Sequence, residues 1–249
     1  MRYLLFLFGF HILISQEKPN PKLTEIWEPE PEIVTPGIQN SAPSDAIILF
    51  DGTDLSKWKN ARGGGDASWI INDDKTMTVT RNGGIETIEE FGSVQLHVEW
   101  KTPLKMEGKG QGRGNSGIIF QRRYEVQILD SYNNRTYSNG QAASIYKQYA
   151  PLVNASKPPG DWQTYDIIFM EPEFNEIGIM TKRGRLTVFH NGILVQNNIE
   201  ILGTTEYIGM PKIGKNEISG YMGKEIKKVL YIQDHGNPVS YRNIWLRKL

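Results

Sequence analysis

The stretch from Val94 to Trp100 sets Val94, Leu96, Val98 and Trp100 in one row and Gln95, His97 and Glu99 in the other. Side chains alternating with period two belong on a strand with one face in a core and one face wet, a spacing no helix produces. Tyr124 to Leu129 repeats the pattern, with Glu125 and Gln127 on one side and Tyr124, Val126 and Ile128 on the other. Short runs with strand character recur at Ala46 to Phe50, Trp69 to Ile71, Thr76 to Thr80, Gly84 to Ile88, Ile118 to Phe120, Thr164 to Met170, Arg185 to His190, Ile193 to Gln196, Val229 to Gln233 and Tyr241 to Arg247. Asn, Asp and Gly separate many of them, and Asn191-Gly192 is the signal of a two-residue type I′ hairpin. After residue 16, no segment longer than about ten residues carries helical apolar spacing. Roughly a dozen short strands predict an all-β chain, a jelly roll or β-sandwich.

Charge and cysteine content narrow the function classes. Twenty-eight basic residues balance 28 acidic ones, and no basic run exceeds two residues, so nucleic acid is not an expected partner. Without cysteine there is no disulfide framework, thiolate metal site or thiol nucleophile. Residues 1–16 place Arg2 ahead of an apolar run from Tyr3 to Ile14, the outline of a secretory signal and too short to span a bilayer comfortably. With no cysteine after that run there is no lipid attachment point. The expectation is an exported protein, periplasmic or secreted, soluble once the signal is removed and with no stable membrane span. Residues 17–44 hold six of the thirteen prolines together with Ile26, Trp27, Ile33 and Val34, and predict an extended strap laid on the domain. The globular domain is expected over 45–249.

The glycine loop from Gly108 to Gly117, carrying Arg113 and Asn115, leads into the Glu125 strand and can bring backbone close to a ligand. Three polar rows stand out: Gln95, His97 and Glu99; Glu125 and Gln127; Gln233 and His235. Were their strands neighbours in one sheet, they would form a wet concave face suited to a polyol. His97, Glu99 and His235 could then hold a divalent ion, although their spacing matches no strict motif. His235 sits where a strand end meets a turn, open to a role in proton transfer, while His190 reads as structural and Trp162 as core. Ser131 to Asp161 is one long irregular insertion whose tyrosines, Tyr146 among them, argue against disorder and could stack on sugar rings. A conventional retaining glycosidase would need two carboxylates about 5 Å apart. Glu125 and Asp130 face opposite ways on a regular strand, so that reading requires a bulge near Ile128.

The runs ILFDGTDLSKW, FGSVQLHVEW, GQGRGNSGIIFQRRYEVQILDSY, PLVNASKPPGDWQTYDIIF, VFHNGILVQNN and IQDHGNPVSYRNIWLR, in that order, resemble the 3-keto-disaccharide hydrolase family over Asp45 to Leu249. TEIWEPEPEIVTPG also resembles the N-terminal segment of some members. The resemblance implies a concanavalin A-like jelly roll and chemistry on sugars already oxidised to a ketone at C3. Such a ketone acidifies the C2 proton, so a base can remove it, the C1 substituent can leave, and water can add to the enone. Under that reading the base is Glu125 or His235, and Arg113 or a bound cation stabilises the enolate or leaving group. Glu99, Asn115, Gln127, Tyr146 and Gln233 then position hydroxyls. A non-catalytic lectin-like module is the alternative, because the sandwich serves both ends.

Overall fold

The computed structural model describes residues 19–105, 107–220 and 227–249. The segment expected to be an export signal lies outside them. No α-helix occurs among the described residues, and none of their helices is long and apolar enough to cross a membrane. Thr35–Leu249 form one compact unit, and the described residues up to Val34 cluster separately, with a single turn of 3-10 helix at Pro21–Thr24 capped by Asn20. Thr35 to Ser44 thus belong with the globular unit. The carbonyl of Asn40 accepts hydrogen bonds from Asn243 Nδ2 and Trp245 Nε1.

Two antiparallel sheets make a jelly-roll sandwich. The larger combines β1 (Ile47–Phe50), β3 (Ile70–Ile71), β4 (Met77–Thr78), β6 (Val94–Lys101), β9 (Gln163–Met170), β12 (Arg185–His190), β13 (Ile193–Glu200) and β15 (Ser240–Lys248). Its order is β13-β12-β9-β6-β15-β4-β3, with β1 also on β15. The smaller runs β2 (Trp58–Asn60), β5 (Ile85–Thr87), β14 (Leu230–Ile232), β7 (Ser116–Phe120), β8 (Tyr124–Ile128). A separate ribbon pairs β10 (Glu173–Phe174) with β11 (Met180–Lys182). These two and β2 are the strands that alternation missed, each being too short to show a period. The Asn191-Gly192 turn has positive φ at both residues, 53° and 78°, as a type I′ turn demands.

Val94, Leu96, Val98 and Trp100 face inward as expected, against Tyr165, Ile167 and Phe169 of the neighbouring strand and Ile118, Phe120, Val126 and Ile128 of the smaller sheet. Phe120 stacks on Phe169 across the sandwich at 4.6 Å. Two buried tyrosines add directional ties between the sheets. Tyr165 donates to the carbonyl of Gln127 (2.8 Å), and Tyr241 to Ser116 Oγ (2.5 Å), which itself donates to the carbonyl of Gln233 (2.6 Å). The backbone beneath two predicted site residues is therefore fixed from inside the core. His190 is buried and bonded to Gln163, and burial drives its pKa down to about 3, as suits a structural residue.

The pairing corrects the idea that all three polar rows share one sheet. Gln95, His97 and Glu99 lie on β6 of the larger sheet, whereas Glu125, Gln127 and Gln233 belong to the smaller. Glu99 is occupied by Arg242 (2.6 Å) and Asn243 (2.9 Å), so a place among the substrate ligands is not what its surroundings provide. His97 Nδ1 bonds Asp166 at 2.7 Å and stacks on Trp245. A cation site built from His97, Glu99 and His235 is corrected with it, since they come from different sheets; no group of three or more His, Cys, Asp or Glu ligands gathers among the described residues. Trp162 is half-buried rather than core, its ring covered by Arg242 at 4.1 Å and Lys101 at 4.7 Å.

The His97 cluster makes stability depend on pH. Burial disfavours the imidazolium, but the hydrogen bond to Asp166 at 2.7 Å and the ion pair with Glu99 at 3.7 Å outweigh it and raise the pKa to about 9. Protonation is thus tighter in the folded chain than in the unfolded one, so the stabilisation is complete below pH about 6.5 and disappears as pH climbs through 9. Because Asp166 is half-exposed, the contribution is discounted to about 1–2 kcal/mol. Urea titrations across pH 6–10 are expected to show His97→Gln with a flatter stability curve in that window; an unchanged slope would remove the charged histidine from the account.

Candidate active site

The β7 and β8 strands pair without a break from Ser116↔Ile128 to Phe120↔Tyr124. No bulge interrupts them, so Glu125 and Asp130 are not turned to one face. Asp130 has its own task, accepting from Arg113 Nε at 2.7 Å and from the Tyr132 backbone. The carboxylate-pair reading is corrected on both counts. Arg113 is held by a buried carboxylate, which neutralises the charge that the sequence offered to an enolate.

Register carries one row across the whole smaller sheet on the face away from the core: Lys59, Glu86, Tyr231, Ile119, Glu125. One step along, Gln127 stands opposite Gly117, whose carbonyl accepts from the Gln233 N–H. Glu125, Gln127 and Gln233 therefore share a face, as their parity predicts. The Glu125 carboxyl lies over Gly117, where an added Cβ would stand 2.6 Å from Glu125 Oε1. Only a residue without a side chain leaves that space.

The insertion closes over this face. Residues 143–146 run beside β8 through bonds from Ala143 N to the Gln127 carbonyl, from Gln127 N to the Ser144 carbonyl, and from Tyr146 N to the Glu125 carbonyl. Tyr146 and Tyr137 share a hydroxyl hydrogen bond of 2.7 Å. Lys147, with φ of 62°, sits in the left-handed region, where a non-glycine residue is strained. Its ammonium lies 4.6 Å from the ring centre of Tyr137 and 5.1 Å from that of Tyr207, with no carboxylate partner among the described residues. Gln111 ties the glycine loop in: its Oε1 accepts from Gln127 Nε2, its Nε2 donates to Gly140 and Thr136, and its carbonyl accepts from buried Asn115.

Burial alone governs the electrostatics of Glu125, pushing its pKa up to about 8; Oε2 has no hydrogen-bond partner among the described residues. Gln127 Oε1 is likewise buried and unpartnered. Burial, together with the reach of the Glu125 charge, keeps the Tyr137 phenol protonated, and burial raises Tyr231 to about 12. At the other end of the row Glu86 is neutralised by Arg122, whose guanidinium also covers the Tyr231 ring at 5.1 Å. A carboxyl poised near neutral pH, two phenols able to donate and an unpaired ammonium can accept a proton and then hold a negative oxygen.

Of the predicted site residues, Glu125, Gln127, Asn115, Tyr146 and Gln233 are brought together. Arg113 borders them but is committed to Asp130, and Glu99 is on the other sheet. His235 is exposed in the turn after β14. Sequence reasoning counted Tyr137 among the insertion's tyrosines without giving it a place in the site, and it missed Lys147, Gln111 and Tyr231. Tyr231 had a signal, since it alternates with Gln233; the other three lie in loops with no period to read.

Comparisons with known proteins bear on the family and the fold. The profile of the 3-keto-alpha-glucoside-1,2-lyase-like domain matches residues 45–247. The 3-keto-disaccharide hydrolase of Bacteroides thetaiotaomicron is 24% identical over an alignment of 252 positions that covers 83% of this chain and 80% of that protein. A crystal structure of an inferred glycosyl hydrolase from Parabacteroides distasonis is 45% identical, with a TM-score of 0.84 and coverage of 92% of this chain and 97% of that one. Another from the same organism, 18% identical at a TM-score of 0.57 and covering 82% and 94%, shares the fold.

Proposed function

The chain belongs to the 3-keto-alpha-glucoside-1,2-lyase-like family of carbohydrate-active enzymes, and from that premise we propose that it cleaves 3-keto-glycosides, including 3-keto-disaccharides, by elimination followed by hydration. One observation carries the reading: a fully buried carboxyl, Glu125, has its pKa pushed to about 8, has no partner for Oε2 among the described residues, and lies close enough to the Tyr137 phenol for its charge to be felt there. A lectin has no use for such a group, whereas a base for a ketone-activated proton needs one.

In this mechanism ionised Glu125 takes the proton from C2. The C2–H electrons form an enolate with the C3 oxygen, and its collapse makes the C1–C2 double bond and expels the C1 oxygen substituent, which gains a proton. Water then adds at C1 and a proton returns to C2, so the sum is hydrolysis. Lys147 and the Tyr137–Tyr146 pair stabilise the enolate oxygen, the place first offered to Arg113. Gln127, Asn115 and Gln233 orient hydroxyls. His235, outside the buried face, is assigned proton exchange with solvent. The protein acts after export, in the periplasm or outside the cell.

A paired turnover assay on a disaccharide and its 3-keto derivative tests the reading. Cleavage of the keto sugar alone is expected. Cleavage of the unoxidised sugar at a similar rate would refute elimination chemistry, and saturable binding of both sugars without cleavage would mark a lectin.

A further inference from the structure

A second cavity, of about 450 Å³, opens beside the β7–β8 turn, lined by Gln121, Arg123, Glu171, Phe174, Lys215 and Lys228 among others. Neither Glu125 nor Gln127 reaches it. Arg123 is only 4% exposed. Its two Nη atoms donate to the carbonyls of Lys215 (2.8 Å) and Gly214 (2.7 Å), yet its Nε has no acceptor and no carboxylate pairs with it among the described residues. A buried guanidinium without counter-charge is costly, and carbonyl dipoles supply only part of what an anion would.

The carboxylates nearby are already engaged. Glu171 accepts from Lys228 (2.7 Å) and Gln121 (2.9 Å), and Glu173 from Lys182 (2.8 Å). The ammonium of Lys215 at the rim has no ion-pair partner among the described residues. The cavity is therefore lined by a buried guanidinium and an exposed ammonium, neither with a carboxylate partner among the described residues. Its size is that of a small-ligand site, and Phe174 and Pro172 give it an apolar wall of the kind that packs against the C–H face of a sugar ring.

We propose that this cavity binds a carboxylate, in the form of a uronic acid unit, with the carboxylate on Arg123 Nε and Lys215 and the ring against Phe174. The proposal goes beyond the elimination site, and its readout is binding rather than turnover.

Titration calorimetry on the full chain with glucuronate, glucose and acetate separates the possibilities. Glucuronate is expected to bind and glucose not. Arg123→Gln should weaken glucuronate about tenfold or more, the usual effect of removing a charge-assisted donor. Exposed Lys215→Glu, which leaves the buried framework alone, should weaken it several-fold and decides the matter if the Arg123 variant fails to fold. Acetate binding as tightly as glucuronate would support the carboxylate site while identifying its ligand as a small free acid. Equal binding of glucose and glucuronate, no glucuronate binding, or unchanged affinity in the Lys215 variant would overturn the proposal.

Discussion

Glu125→Gln is expected to lower kcat/KM on a 3-keto-glycoside by about 10²–10⁴-fold, the range for loss of a positioned general base. The same substitution should make the protein more stable at alkaline pH. Burial raises the folded-state pKa of Glu125 to about 8 against an ordinary value of 4.5. The folded chain then holds a proton that the unfolded chain gives up, so stability is fully present below pH about 4.5 and falls as pH rises toward 8. Removing the ionisable group removes that loss, on the order of a few kcal/mol by pH 8. Activity lost while stability is gained is the mark of a site residue held in a state the fold disfavours.

The wild-type rate carries a matching signature. If ionised Glu125 is the base, about a tenth of the enzyme is competent at pH 7. In that case kcat/KM should rise close to tenfold per pH unit below 8 and level off above it. A rate independent of pH from 6 to 9, or a Glu125→Gln variant with near-normal turnover, would take the base away from Glu125. His235→Ala should cost far less than Glu125→Gln, because an exposed turn residue has neither the burial nor the partners of a tuned base.

Strand alternation made the sandwich legible, and the parity of Glu125 with Gln127 set the two on one face of β8, as the pairing has them. Alternation says which side of a strand is wet but not which sheet the strand joins. Glu99 and Glu125 look alike in sequence, yet long-range pairing set one beside Arg242 and the other beneath the insertion. The burial of Arg113 against Asp130 was equally hidden, since that contact depends on how two loops meet 17 residues apart. Arg122 and Gln121 adopt positive φ in the β7–β8 turn without glycine, a conformation composition does not announce. That strain turns the Arg122 side chain back onto Glu86 and Tyr231.

Gly117 offers the sharpest test of position as opposed to chemistry. Its φ is not in the left-handed region, so alanine meets no backbone strain there, and the one obstacle is the Glu125 carboxyl at 2.6 Å from the new Cβ. Because the nearest atoms are the far end of a side chain, the fold should accommodate Gly117→Ala by moving Glu125 rather than β7. Displacing a base by about 1 Å can cost on the order of 10²-fold in rate. The expected result is a comparable fall in kcat with little change in thermal unfolding. The apparent pKa of the remaining activity should also move toward that of an ordinary carboxylate, because the carboxyl is pushed out of the environment that raised it. If Gly117→Ala keeps both the wild-type rate and the rise toward pH 8, the carboxyl over Gly117 is not the group that takes the proton. If kcat falls while that rise stays in place, the methyl group is obstructing the substrate instead.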